Sequence, residues 1–97
     1  MSDTRFIAEW IVRQHIDERG EWEPDRDERE FSTHKTLAEA QEAAIAGAKK
    51  AHVVEWCAVE EETYNASLGI PRRSPAAWDS LRTWCGDYEG NWVENRS

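Results

Sequence analysis

The chain is poor in almost everything that marks a catalyst, a membrane span or a cross-linked exported domain. Two cysteines in 97 residues, Cys57 and Cys85, allow at most one disulfide. Among His15, His34, His52, Cys57 and Cys85 there is no CxxC, HxxxH or HExxH spacing, so a metal site would need five separated positions to converge. There is no glycine-rich phosphate loop, no internal repeat and no low-complexity tract. No apolar run approaches the roughly 20 residues of a membrane-spanning helix. Met1-Ser2-Asp3-Thr4-Arg5 lacks the basic-then-apolar order of an export signal. The expectation is a cytoplasmic protein whose two thiols are reduced and buried as small hydrophobes, with no cofactor and no metal. In that setting the sequon Asn65-Ala66-Ser67 is a chance match.

Cations are scarce as well. Twelve Lys and Arg against twenty Asp and Glu give a net charge of −8, which argues against direct nucleic-acid or anionic-membrane binding, because both need clustered cations. A basic protein partner fits the charge. Solubility alone also selects moderate negative charge, so its distribution carries more information than its total.

What is present is enough for one small folded domain over residues 1–97. Apolar residues make up 39% and aromatics 10%, too hydrophobic for a disordered tail. A chain of this mass should hide about 65% of its surface on folding, which allows one thin core.

From Arg5 to Asp17 the sequence alternates. Phe6, Ala8, Trp10, Val12 and Ile16 share the face expected to be buried, and Ile7, Glu9, Ile11, Arg13 and His15 share the other. Ile7 and Ile11 make that second face half apolar, either because the strand is central and partly covered on both sides or because the face is used for contact. After a stretch punctuated by Gly20 and Pro24, Glu28–Ser32 can return as a second strand anchored by Phe31. Thr36-Leu37-Ala38-Glu39 fits a capping box and should open a helix. Leu37, Ala40, Ala44, Ile45, Ala48 and Ala51 fall on one side, acids lie early and lysines late, and the alanines permit close approach to a sheet. Gly47 in its interior costs about 1 kcal/mol against alanine.

His52 to Glu60, with Val53, Val54, Trp56, Cys57, Ala58 and Val59, reads as the most buried strand. Residues 61–75 read as an irregular connection broken by Gly69 and Pro71. Two readings compete beyond it. Ser74-Pro75 can start a helix carrying Trp78, Leu81 and Cys85 to a stop at Gly86, or Thr83–Tyr88 and Asn91–Glu94 can pair across Glu89-Gly90 as a hairpin. The helix is favoured, followed by a short strand through Trp92 and Val93. The expected fold class is α+β: a small antiparallel sheet of about three to four strands in β-β-α-β-α-β order, with a helix packed on one face.

The chemistry concentrates in an acidic hairpin loop over residues 17–30. Its eight acids (Asp17, Glu18, Glu21, Glu23, Asp25, Asp27, Glu28 and Glu30) and three arginines carry −5 of the total charge. Glu21, Glu23, Asp25 and Asp27 recur with period two, so an extended backbone would set four carboxylates on one side at about 6.6 Å intervals. That interval is close to every second phosphate of a nucleic-acid strand. The alternative is a solvated connector whose acids keep a sheet edge from pairing. Trp22 favours contact, since an indole among charges is costly to expose and typical of binding hot spots. Glu60, Glu61 and Glu62 form a second acidic run, either a solvated strand end or an extension of the first cluster. The candidate binding residues are therefore Glu21, Trp22, Glu23, Asp25, Asp27, Glu28, Glu30, Glu60, Glu61 and Glu62.

Catalysis finds little support. Acid/base work needs one carboxylate in an apolar pocket, and these lie in polar runs. Cys57 and His52 would sit on opposite faces of a strand, out of reach of one another. Six tryptophans are many for this length: Trp10, Trp56 and Trp78 have core assignments, while Trp22, Trp84 and Trp92 sit among polar residues and fit either core or contact surface.

In its size, its lack of catalytic spacing and its acid-rich loop (Glu21, Glu23, Asp25, Asp27), the chain resembles the small acidic inhibitors made by bacteriophages, including anti-CRISPR proteins of the nucleic-acid-mimic kind. The three arginines of the loop depart from a purely acidic mimic. The resemblance implies a protein that binds the cationic groove of a nuclease or surveillance complex and excludes DNA or guide RNA. The function expected is thus a non-enzymatic binding module whose acidic surface engages a basic protein surface. The alternative is an interaction or oligomerisation module, a homodimer included, using Ile7, Ile11 and the tryptophans.

Overall fold

The computed structural model describes residues 3–51, 57–87 and 89–96. Five strands and one α-helix follow one another as β1 (Thr4–Arg13), β2 (Glu28–His34), α1 (Leu37–Lys50), β3 (Cys57–Tyr64), β4 (Trp78–Gly86) and β5 (Trp92–Arg96). All strands join one antiparallel sheet in the order β2-β1-β3-β4-β5. The protein is α+β as the pattern predicts, with one strand more and one α-helix fewer among the described residues than expected. Strands β2 and β3 both run antiparallel to β1, hence parallel to one another, and the crossover this requires is α1.

Alternation assigns the faces. Phe6, Ala8 and Trp10 of β1 lie in register with Glu61, Val59 and Cys57 of β3, and these with Arg82, Trp84 and Gly86 of β4. This face carries the helix. Ala40, Ala44 and Ala48, spaced four apart, are fully buried against Ala8, Cys57, Val59 and Trp84. Thr36 caps the helix as predicted, its Oγ1 accepting the Glu39 amide at 3.2 Å. Gly47 has a packing reason that helix propensity conceals: the Trp10 indole lies directly on it, and a Cβ there would stand 2.6 Å from Nε1 and closer to the ring carbons. Gly86 does the same for Trp92, whose Cε3 would be 2.6 Å from an added Cβ.

Residues 74–86 contradict the favoured helix. Pro75–Ala77 makes only a single 3-10 turn, and β4 begins at Trp78. The competing hairpin is the one that forms, pairing Cys85 with Val93 and Gly86 with Trp92. Its turn is held by Asp87, whose carboxylate accepts the amides of Glu89 and Asn91 and the Asn91 side chain; these bonds hold its pKa below the ordinary carboxylate value. Strand β3 runs on through Tyr64, so the irregular connection expected from residue 61 starts at Asn65. Of the predicted buried strand, Cys57, Ala58 and Val59 are buried; His52 to Trp56 lie outside the described residues.

Among the described residues, no helix lies on the opposite sheet face. Ile11 on it is nevertheless 1% exposed, in keeping with a strand covered on both sides, while Phe31 and Val93 are 63% and 64% exposed. Phe31 therefore does not anchor β2 in the core, because it falls on the uncovered face of an edge strand. Cys85 is also on this face, only partly buried, and both thiols are free. Among the described residues no helix is long and apolar enough to cross a membrane. The Cα radius of gyration, 14.8 Å, exceeds the roughly 12.5 Å of a compact chain this long. The longest extent, 48 Å, follows the strands, since five of them side by side span only about 20 Å.

Candidate functional site

The acidic segment continues the β1–β2 hairpin as an ordered arm beyond the sheet. Ile16 and Trp22 form an antiparallel bridge, flanked by hydrogen bonds from the Asp17 amide to the Glu21 carbonyl and from the Glu23 amide to the His15 carbonyl, both 2.8 Å. The tip closes around Asp17. Its Oδ1 accepts the amides of Arg19 and Glu21 at 2.8 Å each, and Gly20, at φ +81°, supplies the left-handed residue the turn needs. On the return, Pro24–Arg26 forms a 3-10 turn, with Arg26 bound to Glu23 at 3.2 Å.

Asp27 ties the arm together. It accepts the Trp22 indole N–H at 3.0 Å on Oδ1 and 2.8 Å on Oδ2, and the His15 amide at 3.1 Å on Oδ1. The predicted row of four carboxylates is therefore not formed. A 3-10 turn interrupts the extended backbone between Glu23 and Asp27, Glu23 is drawn to Arg26, and Asp27 serves the arm's own structure. With the row goes the match to every second phosphate.

The charge survives the loss of the row. The three arginines bind Asp17, Glu23 and, from β2, Glu9 of β1. Glu18, Glu21, Asp25, Glu28 and Glu30 are exposed and make no ion pair among the described residues. Glu18 is one of the eight acids of the segment but not one of the candidate binding residues of the sequence.

Glu60, Glu61 and Glu62 do not join this patch. They alternate between faces, and Glu61 and Glu62 are paired, with Arg82 at 2.7 Å and Arg5 at 2.8 Å. They lie opposite Ile7, Phe6 and Arg5, while the arm departs beyond Arg13. Phe6 and Arg13 are about 23 Å apart along the strand.

The tryptophans sort differently from their sequence neighbourhoods. Trp84 is 6% exposed in the core, and Trp92, partly buried, packs against the core over Gly86. Trp78 stands on the helix-free face under the Arg5 guanidinium, 3.9 Å from its ring centroid. Trp56 lies outside the described residues. Trp22 is 47% exposed and Ile16 55%. Ile16 was expected in the core; the strand ends at Arg13, three residues before it, and the Asp17-x-x-Gly20 turn was the signal that placed it on the arm.

As for chemistry, burial first, then the nearness of Asp87 and Cys85, pushes the Cys57 thiol up to about 11, so it is protonated at neutral pH and a poor nucleophile. Among the described residues no three His, Cys, Asp or Glu side chains converge to hold a metal ion. No family model, no curated protein and no solved structure matches this chain.

Proposed function

We propose that this protein is a non-enzymatic binding module whose acidic arm engages a basic surface of a partner protein. The observation that carries the reading is a set of five exposed carboxylates with no ion pair among the described residues: Glu18, Glu21 and Asp25 on an arm ordered by its own hydrogen bonds, and Glu28 and Glu30 on the adjoining end of β2. A disordered acidic tail would lose more entropy on binding; here the backbone is already fixed. The basic surfaces best suited to such a patch are those that bind nucleic acid, so the partner class is a nuclease or nucleic-acid-binding complex, which the arm would inhibit by occupying its groove. The resemblance to small acidic phage inhibitors, anti-CRISPR proteins of the nucleic-acid-mimic kind among them, implies this mode of action.

The test is capture from the native host at low and high salt, about 0.05 and 0.5 M, with wild type and a Glu18→Lys/Glu21→Lys/Asp25→Lys variant. The expected result is a basic partner retained by wild type at low salt, and lost both at high salt and with the variant. Association should slow more than dissociation quickens. Retention of the same partner under all three conditions overturns the proposal.

A second reading is favoured by one observation: Phe31 and Val93, both exposed, stand at the two ends of one row across the helix-free face, with Glu9, the buried Ala58 and the partly buried Cys85 between them. Self-association through that face predicts a mass that rises with concentration and is restored to monomer by Phe31→Glu.

A further inference from the structure

Among the described residues, three arginines stack on aromatic rings, each with a carboxylate on the guanidinium. Arg5 lies 3.9 Å from the Trp78 ring centroid and binds Glu62. Arg72 lies 4.2 Å from the Tyr64 centroid and binds Asp3. Arg82 lies 4.9 Å from the Trp84 centroid and binds Glu61. The combination is physically coherent: the ring face attracts the cation, the carboxylate bonds its N–H groups, and the flat guanidinium suits both.

Trp22 supplies the first of these parts, an accessible ring, on an arm that carries carboxylates with no ion pair among the described residues. Its ring is half exposed and fixed in direction by the two indole N–H contacts to Asp27. Donation of that N–H to a carboxylate makes the ring more electron-rich and strengthens its attraction for a cation. Glu21 and Glu23 flank it in sequence, and across the bridge Ile16 lines a groove of about 550 Å³ with Asp17, Glu18, Arg19, Glu23 and Arg26. Among the described residues no arginine or lysine lies over the Trp22 ring.

We infer that the arm is an arginine-recognition site, in which a partner's arginine stacks on Trp22, runs its aliphatic stem along Ile16 and presents its guanidinium to the arm carboxylates. The inference rests on the acidic-arm reading and goes further, since charge alone does not distinguish arginine from lysine. A lysine ammonium is compact and strongly hydrated, and gains less from a flat ring. Stacking at an exposed ring is worth about two- to fivefold in affinity, which sets the upper bound on the preference.

The experiment titrates hexa-arginine and hexalysine peptides, equal in length and charge, into the protein at low salt, following the indole N–H resonances by NMR. The Trp22 signal is assigned by its loss in Trp22→Leu. Hexa-arginine should bind more tightly than hexalysine, by up to about fivefold, and shift the Trp22 resonance most. Trp22→Leu should bring the two peptides level, Trp22→Phe should keep part of the preference, and Glu21→Lys should weaken both. Equal affinities with an unmoved Trp22 resonance overturn the arginine site and leave the acidic arm standing. Failure of both peptides to bind overturns the acidic arm as well.

Discussion

Gly47→Ala places two effects of opposite sign on one atom, and the structure says which prevails. In a helix interior the new methyl stabilises by about 1 kcal/mol through propensity. Here, however, it would overlap the Trp10 indole at the ring atoms nearest the pyrrole–benzene junction, where no rotamer shift of a flexible tip relieves it. Overpacking of this kind costs about 1–3 kcal/mol. The net expectation is destabilisation by up to about 2 kcal/mol, a fall in Tm of as much as roughly 8–16 °C for a domain this size. Replacing Trp10 by valine removes the overlap while keeping a strand-forming side chain. In that background Gly47→Ala should stabilise by about 1 kcal/mol, so the sign reverses and the coupling equals the overpacking cost. Urea unfolding followed by far-UV circular dichroism measures all four corners of the cycle, independently of the change in indole fluorescence. The reasoning is refuted if Gly47→Ala stabilises the protein with Trp10 in place, or if the two substitutions add within about 0.5 kcal/mol.

Further expectations concern the core, the turns and pH. Trp84→Ala should lose about 3–5 kcal/mol in denaturant unfolding, whereas Trp22→Ala, on the exposed arm, should change global stability by less than about 1 kcal/mol; similar losses would mean the arm is part of the core. The unfolded Cys57 thiol ionises near 9.0 and the folded one at about 11. The unfolded state therefore binds fewer protons between these values, and stability should fall on the order of 2 kcal/mol as pH rises through that window. Cys57→Ala should flatten this slope, and in the folded wild type a thiol reagent at neutral pH should modify Cys85 well before Cys57. On the acid side, the lowered pKa of Asp87 gives stability that is present above the ordinary carboxylate value and lost as pH falls through the depressed one. An Asp87→Ala variant, less stable at neutral pH, should show a shallower acid-side decline in Tm.

The parts of the fold that were legible in the residues are those fixed by short-range rules. The Thr36 cap, the four-residue alanine spacing of α1 and the alternation of Phe6, Ala8 and Trp10 need no partner to be read. The stretch from Trp78 to Gly86 carries a helical signature in its residues, with Trp78, Leu81 and Cys85 at helical spacing after a Ser-Pro start. What overrules that local signal is pairing on both sides, with β3 and β5, and neither the bulge beside Leu81 nor the burial of Trp84 has a local signature. In the candidate site the composition and charge of the arm were legible, and its backbone path was not. A period-two acid pattern presumes an extended chain, and the 3-10 turn at Pro24–Arg26 removes that premise.

The sequence by itself determined an acidic α+β chain with one capped helix, a β1–β2 hairpin and a concentrated anionic segment, because composition and neighbour-scale geometry suffice for each. Only the tertiary structure decided that five strands share one sheet, that Trp84 and Trp92 are packing residues, that Glu60, Glu61 and Glu62 stand apart from the arm, and that Asp27 orients Trp22. Each of those outcomes depends on contacts between residues brought together by register and crossover, and side-chain type carries no record of which distant strand it will face.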